Sequence, residues 1–206
     1  DGSPRGILAP STSELIRVEG DIDYDGPADT PVCSIAFSGL TFTHADRWAW
    51  TTDETRLGWG MQHDWDMFDR PTAMLRFRGA EDCRVTACRF VNSGGTGVRL
   101  DLHAQRNRIE SCEFAHLGEA GILLAGYGPG TKDTNHHNDI VNNTIHHFSE
   151  ITWHSPGLWA WQSGYNRIAH NELHHSGYTA VLITTNNPVI PTLDQIKEIY
   201  HKIYDD

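Results

Sequence analysis

The chain has 206 residues, 38% of them apolar, and no apolar run near the roughly 18 residues that a bilayer span requires. Its formal net charge of −11 and pI near 5.5 argue against nucleic acid or an anionic membrane as partner, since either would be repelled rather than release counterions on binding. One soluble domain with a real core and neutral ligands is the expectation.

Residues Asp1 to Pro10 carry neither a basic start nor an apolar stretch, so no signal peptide is written there, and the opening reads like the interior of a longer protein. Asp21-Ile22-Asp23-Tyr24-Asp25-Gly26 begins like a calcium loop, but Val32 stands at the twelfth position, where a bidentate Glu is needed. A polar connector between strands is the expected role. No cofactor is expected, and Ca2+ is the single ion this partial match keeps in view. Cys33, Cys83, Cys88 and Cys112 contain no Cys-x-x-Cys pair, which leaves a Cys83–Cys88 bridge as one option.

From Val85 onward the chain repeats the pattern apolar-x-x-(Cys/Asn)-x-apolar: Val85/Cys88/Phe90, Ile109/Cys112/Phe114, Ile140/Asn143/Ile145 and Ile168/Asn171/Leu173. Phe37/Leu40/Phe42 is an earlier copy with Leu in the middle slot. A second short strand follows each of these: Val98, Ile122 and Val181 lie ten residues after Cys88, Cys112 and Asn171, and Leu158 lies fifteen after Asn143. The starts Val85, Ile109, Ile140 and Ile168 are 24, 31 and 28 apart, so a basal coil of 24 residues accepts insertions.

Alternation sends Val98, Leu100, Ile122 and Leu124 inward, and Arg99, Asp101 and their counterparts outward. Strands this short bury a face only by stacking, and Asn143 and Asn171, in the slot of the cysteines, should form an amide ladder at a turn. A propeller needs units of about 40 residues and a leucine-rich repeat needs its own frame. The expected fold is therefore all-β, a right-handed single-stranded parallel β-helix over 1–185. Residues 186–206 should be a linker and capping α-helix, opened by the Thr192-x-x-Gln195 box and carrying Leu193, Ile196, Ile199 and Ile203 on one face.

Insertions fall near 43–70, 126–137 and 146–156, and they hold most of the candidate chemistry. The first has Trp48, Trp50, Trp59 and Trp65 beside Asp64 and Asp66; the second has Tyr127, Lys132 and Asp133; the third has Glu150, Trp153 and His154. Indoles next to carboxylates and amides suit a pyranose, whose C–H faces stack while its hydroxyls hydrogen-bond. Glycoside hydrolysis needs two carboxyl groups about 5 to 9.5 Å apart. Candidate catalytic groups are Asp101, Asp133, Glu150, Asp64 and Asp66, and candidate sugar contacts are Trp65, Tyr127, Lys132, Trp153, His154, Trp159, Trp161 and Gln162. Glu119, exposed by the same alternation, reads as a turn residue. His136-His137, His146-His147 and His174-His175 are paired; stacked coils would align His147 with His175, for a shared metal or for turn hydrogen bonds, and no metal site is assigned.

Gly126-Tyr127-Gly128-Pro129-Gly130-Thr131-Lys132-Asp133, Ile145-His146-His147, Trp153-His154-Ser155-Pro156-Gly157, Gln162-Ser163-Gly164, Gln62-His63-Asp64-Trp65 and Phe68-Asp69-Arg70-Pro71 together resemble a family of large bacterial right-handed β-helix repeat proteins. These are similar to carbohydrate-active enzymes of the glycoside hydrolase family 141 group of fucosidases and xylanases. The resemblance runs from Ile16 to Ile183 and implies carbohydrate chemistry in an exported protein, extracellular or periplasmic, of which this is an internal piece; the tail from Asn186 departs from the pattern. A glycoside hydrolase acting on a plant or algal polysaccharide leads. A β-helix lyase, with Lys132 or Arg99 near a uronate, and a noncatalytic carbohydrate-binding or structural solenoid are the alternatives. Open solenoid ends leave strand edges through which copies of the chain can associate.

Overall fold

A computed structural model describes residues 6–47, 69–128 and 131–184. Three parallel sheets run along the molecule, and the chain visits each in turn before starting the next coil. The long sheet stacks Ile16–Glu19, Ala73–Glu81, Thr96–Gln105, Ile122–Ala125, Leu158–Trp161 and Val181–Thr184. The second stacks Ala36–Ser38, Arg84–Thr86, Arg108–Glu110, Asp139–Val141 and Arg167–Ala169; the third stacks Thr41–Thr43, Arg89–Ser93, Glu113–Leu117, Thr144–His146 and Glu172–His174. This is a parallel β-helix, as the repeat predicts.

The predicted register holds residue by residue. Phe37, Val85, Ile109, Ile140 and Ile168 are direct partners up one sheet. Phe42, Phe90, Phe114, Ile145 and Leu173 are partners up another. Because each coil places the same residue type at the same depth, like side chains stack: Phe42, Phe90 and Phe114 lie nearly parallel, with ring centroids 4.7 and 4.9 Å apart. Val98, Leu100, Ile122 and Leu124 join them in one continuous core.

Sharp corners separate the sheets, and each needs a residue in the left-handed region. Three columns supply it, with φ from 50° to 66°: Ser34, Asp82, Arg106, His137 and Tyr165; Gly39, Ala87, Ser111, Asn142 and His170; His44, Asn92, His116, His147 and His175. Asn, Asp and His tolerate this conformation best among residues with a side chain. The second member of every His–His pair is therefore a corner residue.

Beside two of these corners run amide ladders. In the expected one, the Cys112 N–H donates to Asn143 Oδ1 and the Asn143 N–H to Asn171 Oδ1, each at 3.0 Å. The sequence reading missed a second, in which the N–H groups of Cys83, Asn107 and Asn138 donate to Asn107, Asn138 and Asn166. Cys83 and Cys88 thus occupy different corners, and the optional bridge between them does not form: all four cysteines are free, and burial pushes the Cys112 thiol up to about 11. Residues 48–68 of the first insertion, with Asp64, Trp65 and Asp66, and the predicted capping helix lie outside the described residues.

Candidate functional site

The outer face of the long sheet carries two adjacent columns. One reads Arg17, Arg76, Arg99, Leu123, Trp159, Leu182; the other reads Glu19, Arg78, Asp101, Ala125, Trp161, Thr184. The lower coils are thus charged and the upper ones apolar.

Asp101 points outward, as the alternation predicts, but it is fully buried rather than open to solvent. It accepts from Arg76 Nε at 2.6 Å and from Arg99 Nε at 3.0 Å, and Arg99 in turn donates to Thr72 Oγ1 at 2.6 Å. Arg76 also donates to Asp69, which Arg78 grips from its own side at 2.6 and 2.9 Å. Burial would raise the Asp69 carboxyl, but the Arg78 hydrogen bonds and the Arg76 charge outweigh it and hold the group below its usual range. One guanidinium therefore bridges two carboxylates. Of the two, only Asp69 keeps some exposure, at 23%.

Trp159 and Trp161 cluster with Leu123, Ala125 and Leu182, and at 3% and 8% exposure they are buried rather than open platforms. Trp159 Nε1 and Gln162 Oε1 are buried with no hydrogen-bond partner among the described residues, one a donor and the other an acceptor. Gly126 lies so close to this strand that a Cβ on it would sit 2.0 Å from the Gln162 carbonyl oxygen, so glycine is what lets the second insertion leave here.

That insertion folds back onto the Asp21–Asp29 connector. Tyr127 Oη and Lys132 Nζ both donate to Asp29 Oδ1 at 2.9 Å, and His103 bridges Asp29 and Glu81 at 3.2 and 2.7 Å. Within the calcium-like loop Asp23 accepts from the Ala28 N–H and Asp29 from the Asp23 N–H. Burial would raise the Asp29 carboxyl, but Lys132, Tyr127 and His103 outweigh it; His103 and Arg106 do the same for Glu81. Carboxyls lowered on folding contribute stability above their unfolded value near pH 4, and lose it as pH falls through the folded value. Amide protection across Asp21–Asp29 should therefore be level above about pH 5 and fall away below about pH 4. Asp29→Asn should leave that segment weakly protected throughout, and a wild-type protein equally protected at both ends of this range would refute the coupling.

The remaining candidates lie elsewhere. The third insertion precedes the long-sheet strand Leu158–Trp161, whereas the second follows its neighbour Ile122–Ala125, so the two leave the long sheet at opposite margins. Glu150 pairs with His116 Nδ1 at 3.1 Å on the exposed surface, Trp153 is exposed against His154, and Asp133 is exposed in its loop. Glu119, expected at the surface, is 8% exposed and accepts from Thr96 Oγ1. Asp69 stood in the Phe68-Asp69-Arg70-Pro71 motif without being named a candidate, and Arg76, Arg78, Asp29, His103 and Glu81 were not singled out from sequence. The pairs Arg76-x-Arg78 and Arg99-x-Asp101, in register on adjacent coils, were the available signal for part of this group.

Three parallel sheets, repeated coils and one decorated outer face define a β-helix scaffold. The family described as right handed beta helix region matches residues 73–191, 119 of the 206, and the chain belongs to it. A solved structure titled "Glycoside hydrolase" is similar at 20% identity with a TM-score of 0.60, over 86% of this chain and 35% of that one. The chain thus spans about a third of that protein's length. No curated protein sequence matches.

Proposed function

We propose that the chain is part of a carbohydrate-active enzyme, a glycoside hydrolase acting on a plant or algal polysaccharide outside the cytoplasm. The observation that carries this reading is Arg76 holding Asp69 and Asp101 on the same sheet face as Trp161, with only Ala125 between Asp101 and Trp161 in the column. Asp101 and Trp161 are themselves buried, so the partly exposed Asp69 is the group of this cluster that a sugar can reach.

Asp69, held ionised and partly exposed, suits the nucleophile or base. A carboxyl so held cannot also donate the leaving-group proton, so the acid comes from another group, with Asp133, Asp64 and Asp66 on the two insertions as candidates. Asp101 orients Arg76, and Arg99, fully buried against Asp101, is a poor base for a lyase.

Reducing-sugar release across a panel of plant and algal polysaccharides tests the reading. Asp69→Asn should lower kcat by at least about a hundredfold, with the fold retained by circular dichroism. Undiminished hydrolysis by Asp69→Asn, Asp133→Asn, Asp64→Asn and Asp66→Asn alike would overturn the site. An unsaturated uronate product would select a lyase instead, and binding without turnover a noncatalytic module.

A further inference from the structure

The geometry points to a second kind of site at the corners, in which His–His pairs chelate a divalent ion of the copper(II) type. In each pair the second histidine has a positive φ, 56° at His137, 50° at His147 and 56° at His175, and this turns its ring back onto its neighbour's. Nδ1 of His136 faces Nδ1 of His137 at 2.8 Å, and His146 faces His147 at the same distance; His174 and His175 repeat the contact. The same local geometry recurs at two different corners of the coil, so it is a property of the dipeptide in this turn. His137 and His175 are exposed, and His136, His146, His147 and His174 are half-buried.

The bite decides the metal. With metal–nitrogen bonds of about 2.05 Å, nitrogens 2.8 Å apart subtend about 86°, whereas a tetrahedral site would need them about 3.3 Å apart. Near 90° is the angle of square-planar or tetragonal Cu2+ and Ni2+, and Cu2+ binds nitrogen donors most tightly of the first-row series. To meet at one ion each lone pair must turn about 47° from the line between the two nitrogens, by rotation of both rings. The shared Nδ1 proton moves to Nε2 of its own ring, so each imidazole stays neutral and no net proton is lost.

His147 stacks on His175 with centroids 4.8 Å apart, and His146 on His174 at 5.1 Å. One ion with bonds of this length spans about 4.1 Å between opposite donors, so it cannot draw from both stacked pairs. Consistent with this, no three potential ligands among the described residues are arranged around one ion. Two dications at the stacking distance repel strongly even in water, so the second ion on this stack should bind on the order of a hundredfold more weakly. The chain therefore offers two tight equivalents, one at His136–His137 and one shared by the stacked pairs.

Calorimetric titration with Cu2+ near neutral pH, with electron paramagnetic resonance on the same samples, tests this. The expected result is two tight equivalents and an axial signal with hyperfine splitting from two nitrogens. His137→Asn, which keeps a residue suited to the corner, should remove one equivalent. The other should survive His147→Asn or His175→Asn alone and vanish in the double variant. Zn2+ should bind at least tenfold more weakly. Wild-type protein lacking the nitrogen splitting, Zn2+ binding as tightly as Cu2+, or an unchanged stoichiometry in folded variants would overturn the assignment.

Discussion

Asp101→Ala should cost the fold about 3–5 kcal/mol, because it removes the buried carboxylate that two buried guanidiniums share. Arg76 and Arg99 are 3% and 0% exposed at the side chain, so water cannot replace the lost carboxylate without opening the sheet face. Urea denaturation followed by circular dichroism should show a large fall in midpoint. The molecule also suggests the remedy. One coil further on, the same two columns carry Leu123 and Ala125, an apolar version of the same face. The double replacement Arg99→Leu with Asp101→Ala copies that coil and removes the charge together with its partner, while Arg76 keeps Asp69 and Glu14. It should be markedly more stable than Asp101→Ala alone, since replacing a buried pair is far less costly than breaking it. A double variant as unstable as the single one would show that the loss comes from packing and not from stranded charge.

Asn143→Ala is expected to destabilise by on the order of 3 kcal/mol, despite removing only a small side chain. Its amide accepts from the Cys112 N–H and donates to the Ile109 carbonyl, and it bonds Asn171 in the coil above. The methyl leaves the buried Cys112 N–H unpaired and removes a side-chain bond from the Ile109 carbonyl. Asn143→Cys, matching Cys112 at the same slot, should restore volume but not these bonds and should fall between. Thermal or urea unfolding measures all three proteins. A cost below about 1 kcal/mol for the alanine variant would mean that water or a backbone shift satisfies the corner as well as the amide does.

The architecture was readable in the sequence because a coil must present the same residue type at the same depth each time round. Val85, Ile109, Ile140 and Ile168 therefore announced their own register. The second ladder was equally present, since Cys83, Asn107, Asn138 and Asn166 each precede a member of the first by five residues. The face was harder to read because alternation gives direction, not exposure: Asp101, Trp159 and Trp161 point out of the barrel and are still buried. The Asp29–Lys132 contact joins residues 103 positions apart in an insertion and a connector, and neither has a period to betray it.

The ladders have a polarity. In both, the N–H of a lower coil is satisfied by a side-chain oxygen from the coil that follows it in sequence, and in the observed rungs not the reverse. Each turn of the solenoid is thus completed by its successor. A chain emerging from its N-terminus first would close behind itself rung by rung, with the newest coil always the one awaiting its seal. Directional growth of this kind lets a stack of nearly identical layers assemble without confusing its order.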